Sequence, residues 1–279
     1  MFVALDKDNN RVSIENAIRG QEYFCPSCGE PVYVKALNSV SVKPHFAHKK
    51  GADCDSFSHD MSEWHFNWQQ QFPLENREVV VEKDGIKHRA DVLIGNTVIE
   101  FQHSHISPEE IAARNDFYLS IGYNMVWVFD ANGQIKNECG ESTDPVKARP
   151  MDLCWRRKKN QFSNPIPQQV KVFIQYKTDV SIPQLAGQQI DIMLLLDDPE
   201  PKYISFHSTR IYDKYFYITP SNFLKEYGGN VDEKMISISD ILAGAKQYQN
   251  WLTQQKRAAE NRRANMFTNA LLNRRGRRR

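Results

Sequence analysis

A chain of 279 residues with 41% hydrophobic and 25% charged residues has room for two or three compact units and the balance of an ordinary soluble protein. A net charge of +2 excludes a uniformly basic nucleic-acid coat, and no run approaches the ~20 apolar residues that a spanning helix needs, so no membrane contact is expected. Asp6, Lys7 and Asp8 bring charge to the N-terminus at once, which leaves no apolar signal segment and makes a cytoplasmic location the plain expectation.

Residues 1–57 read as a zinc-ribbon-like module. Cys25-Pro26-Ser27-Cys28-Gly29 is a knuckle whose short spacing lets both thiolates meet one ion, with a glycine for the tight turn behind it. His45-Phe46-Ala47-His48 and Cys54 supply a second pair. The expected ligands of a structural Zn²⁺ are Cys25, Cys28, His48 and Cys54, with His45 or His59 as alternatives to His48. A set of four protein ligands keeps no open position and suits a structural role. Cys139 and Cys154 carry no assignment.

Residues 58–135 hold the strongest periodic signals. Ser58 or Asp60 opens a helix that runs through Gln71, and Trp64, Trp68 and Phe72 recur on it at core spacing. Glu63 is either the acid of a capping box or a group near a metal. His65 is either a packed helix histidine or a general base or phosphate contact. A strand over Glu78–Glu82 follows. Next come two β-rich runs around Gly95-Asn96, which predicts a two-residue hairpin turn. In that register Asp91 faces Glu100, and Arg89 faces Gln102. Alternation puts these four on one face, and Ala90, Val92, Ile94, Ile99 and Phe101 on a core face. Two carboxylates about 5 Å apart at Cβ repel each other and require compensation. Arg89 would supply it as a surface ion network, or a divalent cation such as Mg²⁺ would lie between the oxygens.

Ser107-Pro108-Glu109-Glu110 starts a second helix with an N-cap and a proline at the first position. It stops at Gly122 before the apolar strand Tyr123–Phe129. Arg114 and Tyr118 lie one turn apart on this helix, and Arg114 reads either as a phosphate contact or as a helix-surface cation. The full order is α-β-β-β-α-β. Residues 136–168 form a connector, and 169–236 a small C-terminal α/β region with strands at Val170–Tyr176, Ile190–Leu196, Tyr203–His207 and Lys214–Thr219. Residues 237–279 are a basic helix and an arginine-rich tail, in which Arg274, Arg275, Arg277, Arg278 and Arg279 are either a solvated terminus or a phosphate-backbone contact.

With Asp91 followed by Glu100-Phe101-Gln102 in that order of elements, the chain resembles the PD-(D/E)xK nuclease superfamily. It is more closely similar to the competence protein CoiA-like family, which joins an N-terminal zinc-binding segment to such a core. The residues that carry this likeness are the Cys25–Cys28 knuckle, His45-Phe46-Ala47-His48, Cys54, Glu63, His65, Arg89-Ala90-Asp91-Val92, Ile99-Glu100-Phe101-Gln102-His103-Ser104, Arg114 and Tyr118. The resemblance implies a nuclease acting on DNA, with Asp91, Glu100 and the Phe101 carbonyl holding Mg²⁺ or Mn²⁺, and a restriction-endonuclease-like core. Gln102 stands where lysine is usual in the superfamily. An amide still orients water or phosphate but brings no charge, which Arg89 or a second metal would supply. An accessory that keeps the fold without cutting is the rival reading. RNA stays an alternative substrate, because nothing in the sequence reads a 2′-hydroxyl.

Overall fold

The computed structural model describes residues 1–37, 39, 42–49, 54–55, 62–132, 135–137, 150–155, 167–179, 189–195, 204–207 and 217–237, with single residues and short stretches between 239 and 260. One compact unit comprises Met1–Lys177 and Asp191–Met235; a second comprises Thr178–Ile190 and Ile236–Arg279. Within the second, the described residues from 239 to 260 are helical. The five arginines from Arg274 to Arg279 lie outside the described residues, as do Cys139 and His59.

The N-terminal segment is an antiparallel sheet of five short strands: β1 (Val3–Leu5), β2 (Arg11–Ser13), β3 (Tyr23–Phe24), β4 (Pro31–Lys35) and β5 (His45–His48), ordered β2-β1-β3-β4-β5. Its core is small. Phe2, Ala4, Ile14, Tyr23, Cys25, Val32 and Phe46 close on one another and on Phe66 from the helix that follows.

That helix, α1 (Glu63–Gln69), starts later than the sequence suggests, with Ser62 as N-cap accepting from the His65 N–H at 3.2 Å. Next come β6 (Arg77–Lys83), β7 (Ile86–Ile94), β8 (Thr97–Gln102), α2 (Pro108–Ile121) and β9 (Asn124–Asp130). The hairpin register is as expected, with Leu93 opposite Val98 and Val92 opposite Ile99, and Gly95 at φ +54 supplies the turn conformation that a side chain disfavours. Ser107 caps α2 by accepting from the Glu110 N–H at 3.1 Å.

The sheet does not stop at β9. Beyond β10 (Ile135–Asn137) and β11 (Pro150–Trp155), β12 (Val170–Asp179) lies parallel to β9. It is joined by β13 (Gln189–Leu195) and, after β14 (Ile204–His207), by β15 (Tyr217–Ile218), in a seven-stranded order β15-β13-β12-β9-β8-β7-β6. Three of the four strands expected in a separate region after residue 169 thus extend the same sheet. The helix α3 (Pro220–Tyr227) was not foreseen. β10, β11 and β14 form a small second sheet of their own.

Both faces of the large sheet are covered, as parallel central strands require. Trp68 and Phe72 from the α1 segment and Phe223 and Leu224 of α3 pack on Val92, Ile99, Phe101, Val126, Val128, Phe173 and Met193. On the other face α2 buries Arg114, Asn115 and Tyr118, and Asn115 accepts from the Trp127 indole at 2.9 Å. The face expected to carry only polar groups is therefore as dry as the core face.

Candidate functional site

Two clusters carry chemistry, and α1 stands between them. Five of its seven residues divide among three neighbours: Trp64 and Trp68 turn to Phe101, Phe66 meets Phe2 edge-on at 4.7 Å, and His65 and Gln69 reach Asp91.

In the first cluster the knuckle between β3 and β4 is closed by Gly29 at φ +76, whose N–H donates to the Cys25 carbonyl at 2.9 Å. Cys25, Cys28, His48 and Cys54 present their ligand atoms within 4.8 Å of one another. The Cys25 and Cys54 sulfurs are 3.6 Å apart, and His48 Nε2 lies 3.3 Å from Cys28 Sγ and 3.7 Å from Cys54 Sγ. Atoms held ~2.3 Å (S) and ~2.0 Å (N) from one tetrahedral centre are separated by about 3.5–3.8 Å. The spacing thus fits a single ion, and the group could hold a metal such as zinc. His45 is employed elsewhere, with Nδ1 on the Lys43 carbonyl at 2.9 Å, which selects His48 between the two. Burial and the neighbouring Cys25 and Cys28 thiols push Cys54 up to about 12, a crowding that a cation would relieve.

The second cluster lies where β7 and β8 meet. Past the Val92–Ile99 pair the two acids bridge the strands themselves: Asp91 Oδ2 accepts from the Phe101 N–H at 2.9 Å, and Glu100 Oε1 from the Asp91 N–H at 3.4 Å. Asp91 Oδ1 lies 2.9 Å from His65 Nε2 and 3.2 Å from Gln69 Nε2. Glu100 Oε2 is ion-paired to Arg114, which also donates to Glu110 at 2.8 Å and stacks its guanidinium 5.9 Å from the Trp127 ring. Both carboxylates are buried, Glu100 to 1% exposure. Burial and the Asp91 charge push Glu100 up to about 8, against the pull of Arg114. Burial works on Asp91 in the same direction, but His65, the Phe101 N–H and Arg114 outweigh it and hold Asp91 below the usual carboxylate range. The Gln69 Oε1 and Tyr118 hydroxyl oxygens are buried with no hydrogen-bond partner among the described residues.

The structure brings together Asp91, Glu100, His65 and Arg114 and adds Gln69, which the sequence reading missed. Gln69 was detectable as the residue one helical turn beyond His65. Gln102 is buried near them, its amide nitrogen fixed by the Ser104 carbonyl at 3.0 Å and hydroxyl at 3.1 Å. Two expected members lie elsewhere. Glu63 is exposed and ion-paired to Lys43 at 2.9 Å, because it opens α1 on the solvent side. Arg89 donates to Met1 Sδ at 3.5 Å, and Glu78 and Asp55 hold it charged against burial. The cations beside the acids are instead Arg114 and, when protonated, His65.

Glu78 explains the displacement of Arg89. It sits across from Asp91 on β6 between the pairs Arg77–Val92 and Val79–Ala90, and would add a third acid there. Its φ of +47, uncommon for a non-glycine residue, turns the carboxylate instead to the Phe2 and Val3 N–H groups at 2.8 and 2.9 Å. Asp55 likewise joins the N-terminal segment to β7, through His88 Nδ1 at 3.0 Å and the Arg89 N–H at 2.9 Å.

A mixed α/β chain with a Cys₃His group beside a buried acid pair is thus the class that fold and sites define. Family models match along most of this architecture: the N-terminal domain of competence protein CoiA over residues 6–57, and the nuclease-like domain of competence protein CoiA over residues 59–185. The chain belongs to the competence protein CoiA family. The second match runs past residue 135 into β12, in keeping with the extended sheet. No curated protein and no solved structure matches the chain. Among the described residues no helix is long and apolar enough to cross a membrane.

Proposed function

We propose that this chain is a metal-dependent nuclease that hydrolyses phosphodiester bonds in DNA, with a structural zinc ion in its N-terminal module. The reading takes α1, β6, β7, β8, α2 and β9 as a PD-(D/E)xK-type core. The observation that carries it is the meeting of Asp91 and Glu100 across the hairpin beside the Phe101 backbone. Two carboxylates and a carbonyl form the hard oxygen set that Mg²⁺ or Mn²⁺ takes. The acids fit such an ion because their mutual repulsion is only partly met: Glu100 stays raised even with Arg114 against it. A divalent ion held there supplies a positive centre for the phosphate and activates water. His65 and Gln69 fix the rotamer of Asp91, Arg114 fixes Glu100, and Gln102, its amide nitrogen held by Ser104, has its amide oxygen to accept from and orient a water. The tail from Arg274 to Arg279 adds salt-sensitive affinity for the phosphate backbone.

One observation favours a second reading, a DNA-binding accessory that keeps the fold and cuts nothing. All four oxygens of the acid pair already accept a hydrogen bond or ion pair from within the chain. A cleavage assay on DNA and RNA with Mg²⁺ or Mn²⁺ separates the two. Asp91→Ala and Glu100→Ala are each expected to lower the rate by about a hundredfold or more, the scale at which lost catalytic electrostatics is felt. Cutting that survives both substitutions would remove the site. No cutting by the wild type, with salt-dependent binding that disappears when the tail is deleted, would select the accessory.

A further inference from the structure

A cavity of about 300 Å³ opens where Trp64 and Trp68 of α1 meet the ends of β9 and β12 and the start of α3. We infer that it receives one unstacked base of a single-stranded nucleic acid, as a subsite of the proposed nuclease; the inference rests on that reading and names its substrate class.

The two indoles meet edge-to-face, centroids 6.4 Å apart at 68°, so the platform is the Trp64 ring, and its position is fixed from behind. Both ring N–H groups donate to one atom, Gln175 Oε1, at 3.0 Å from Trp64 and 2.7 Å from Trp68. Gln175 is itself buried and oriented by its amide nitrogen donating to Asp191 Oδ1 at 3.0 Å. Trp68 stacks on Phe101 at 5.3 Å, and Trp64 lies against His103, whose Nδ1 is 2.7 Å from Asp130 Oδ2. Trp64 is only half-buried, so part of its ring is left to the cavity. A ring that loses no freedom on binding is what base stacking uses to best effect.

The rim carries groups of both kinds. Asn132 accepts from the Lys177 N–H at 2.8 Å through Oδ1, which leaves its amide nitrogen as donor, and Asn67 and the Lys177 ammonium stand exposed beside it. Asp191 supplies an acceptor. A bare phosphate would meet that carboxylate and be repelled, whereas the edge of a base offers donors and acceptors together. A base inside a duplex cannot reach the platform without leaving its stack, so the cavity selects single strands. The link to the acid pair is short. Trp64 precedes His65, which holds Asp91, and its ring contacts Phe101 at 6.2 Å, whose N–H Asp91 accepts.

The test is fluorescence anisotropy of a labelled oligothymidylate with the zinc-loaded full chain in buffer without added Mg²⁺ or Mn²⁺, the strand being checked afterwards to be uncut. An abasic strand of equal length, a duplex and a free nucleoside monophosphate serve as comparisons. The wild type is expected to bind the base-bearing strand about tenfold more tightly than the abasic one, the usual scale of one stacked base. Trp64→Ala removes the difference, and Trp64→Phe, which keeps a ring, retains most of it, with thermal melts checking that both variants fold. Equal affinity for base-bearing and abasic strands, preference for the duplex, or competition by the monophosphate as strong as by the strand would overturn the inference. Because nothing is cut in this assay, its outcome is independent of whether Asp91 and Glu100 support cleavage.

Discussion

Cys25→Ser and Cys54→Ser are each expected to strip zinc from the N-terminal module and unfold it, whereas His45→Ala keeps the metal. The module's own core is seven residues plus Phe66, far below what holds a segment of this size without a staple. Apparent binding energies of structural zinc run to about 10–16 kcal/mol, which matches or exceeds the whole net stability of an ordinary domain. Removing one thiolate therefore costs more than the local core can replace. Metal analysis of the purified variants, with circular dichroism before and after a strong chelator, reads both parts. A full zinc complement in Cys25→Ser and Cys54→Ser would exclude this site, and zinc lost in His45→Ala but kept in His48→Ala would exchange the two histidines.

Arg114→Met is expected to destabilise the protein increasingly as pH rises above ~8, where Glu100 ionises, toward the ~3–5 kcal/mol cost of leaving a buried carboxylate without its cation. Glu100 has almost no access to water and, among the described residues, no other cation in direct contact, so it protonates or the fold yields. Its folded-state proton affinity is already raised, to about 8 from 4.5, so its contribution to stability is fully present below pH ~4.5 and is lost as pH rises through ~8. Removing Arg114 raises Glu100 further. The defect is accordingly small near pH 5 and larger near pH 9. Adding Glu100→Gln to Arg114→Met should recover most of the loss, because the uncompensated charge is gone. Urea denaturation of the two single variants and the double variant at both pH values measures this. A midpoint unchanged in Arg114→Met near pH 9 would mean that the pair contributes nothing.

What the sequence disclosed was local. The Cys25–Cys28 spacing, the Gly95-Asn96 turn and the Ser107-Pro108 start of α2 each depend on residues a few positions apart, and each is found as read. The partners of the acids were not legible, because His65, Gln69 and Arg114 reach them only once two helices dock on opposite faces of one sheet. Alternation places Arg89 on the face of the acids, but it cannot foresee that the N-terminal segment engages Glu78 of β6 and supplies Asp55, both of which hold Arg89. The joining of β12 to β9 was hidden for a similar reason: some 40 residues separate the two strands, and parallel pairing leaves no turn signature between them. α3 is a different kind of omission. Thr219-Pro220 at its start and Gly228 at its end repeat the cap pattern of α2, but the 8 residues they enclose are too few to stand out among β-type runs.

Glu78, Asp55 and Phe66 also bear on where this protein can be divided. The two family matches meet at residues 57 and 59, which invites cutting the chain there. A fragment beginning at that boundary would lose the Phe2 and Val3 amides that solvate the fully buried Glu78 carboxylate, the acid that orients His88, and the aromatic cover of Phe66. The seam is thus a shared interior, and the halves that comparison separates are, in solution chemistry, a single indivisible body.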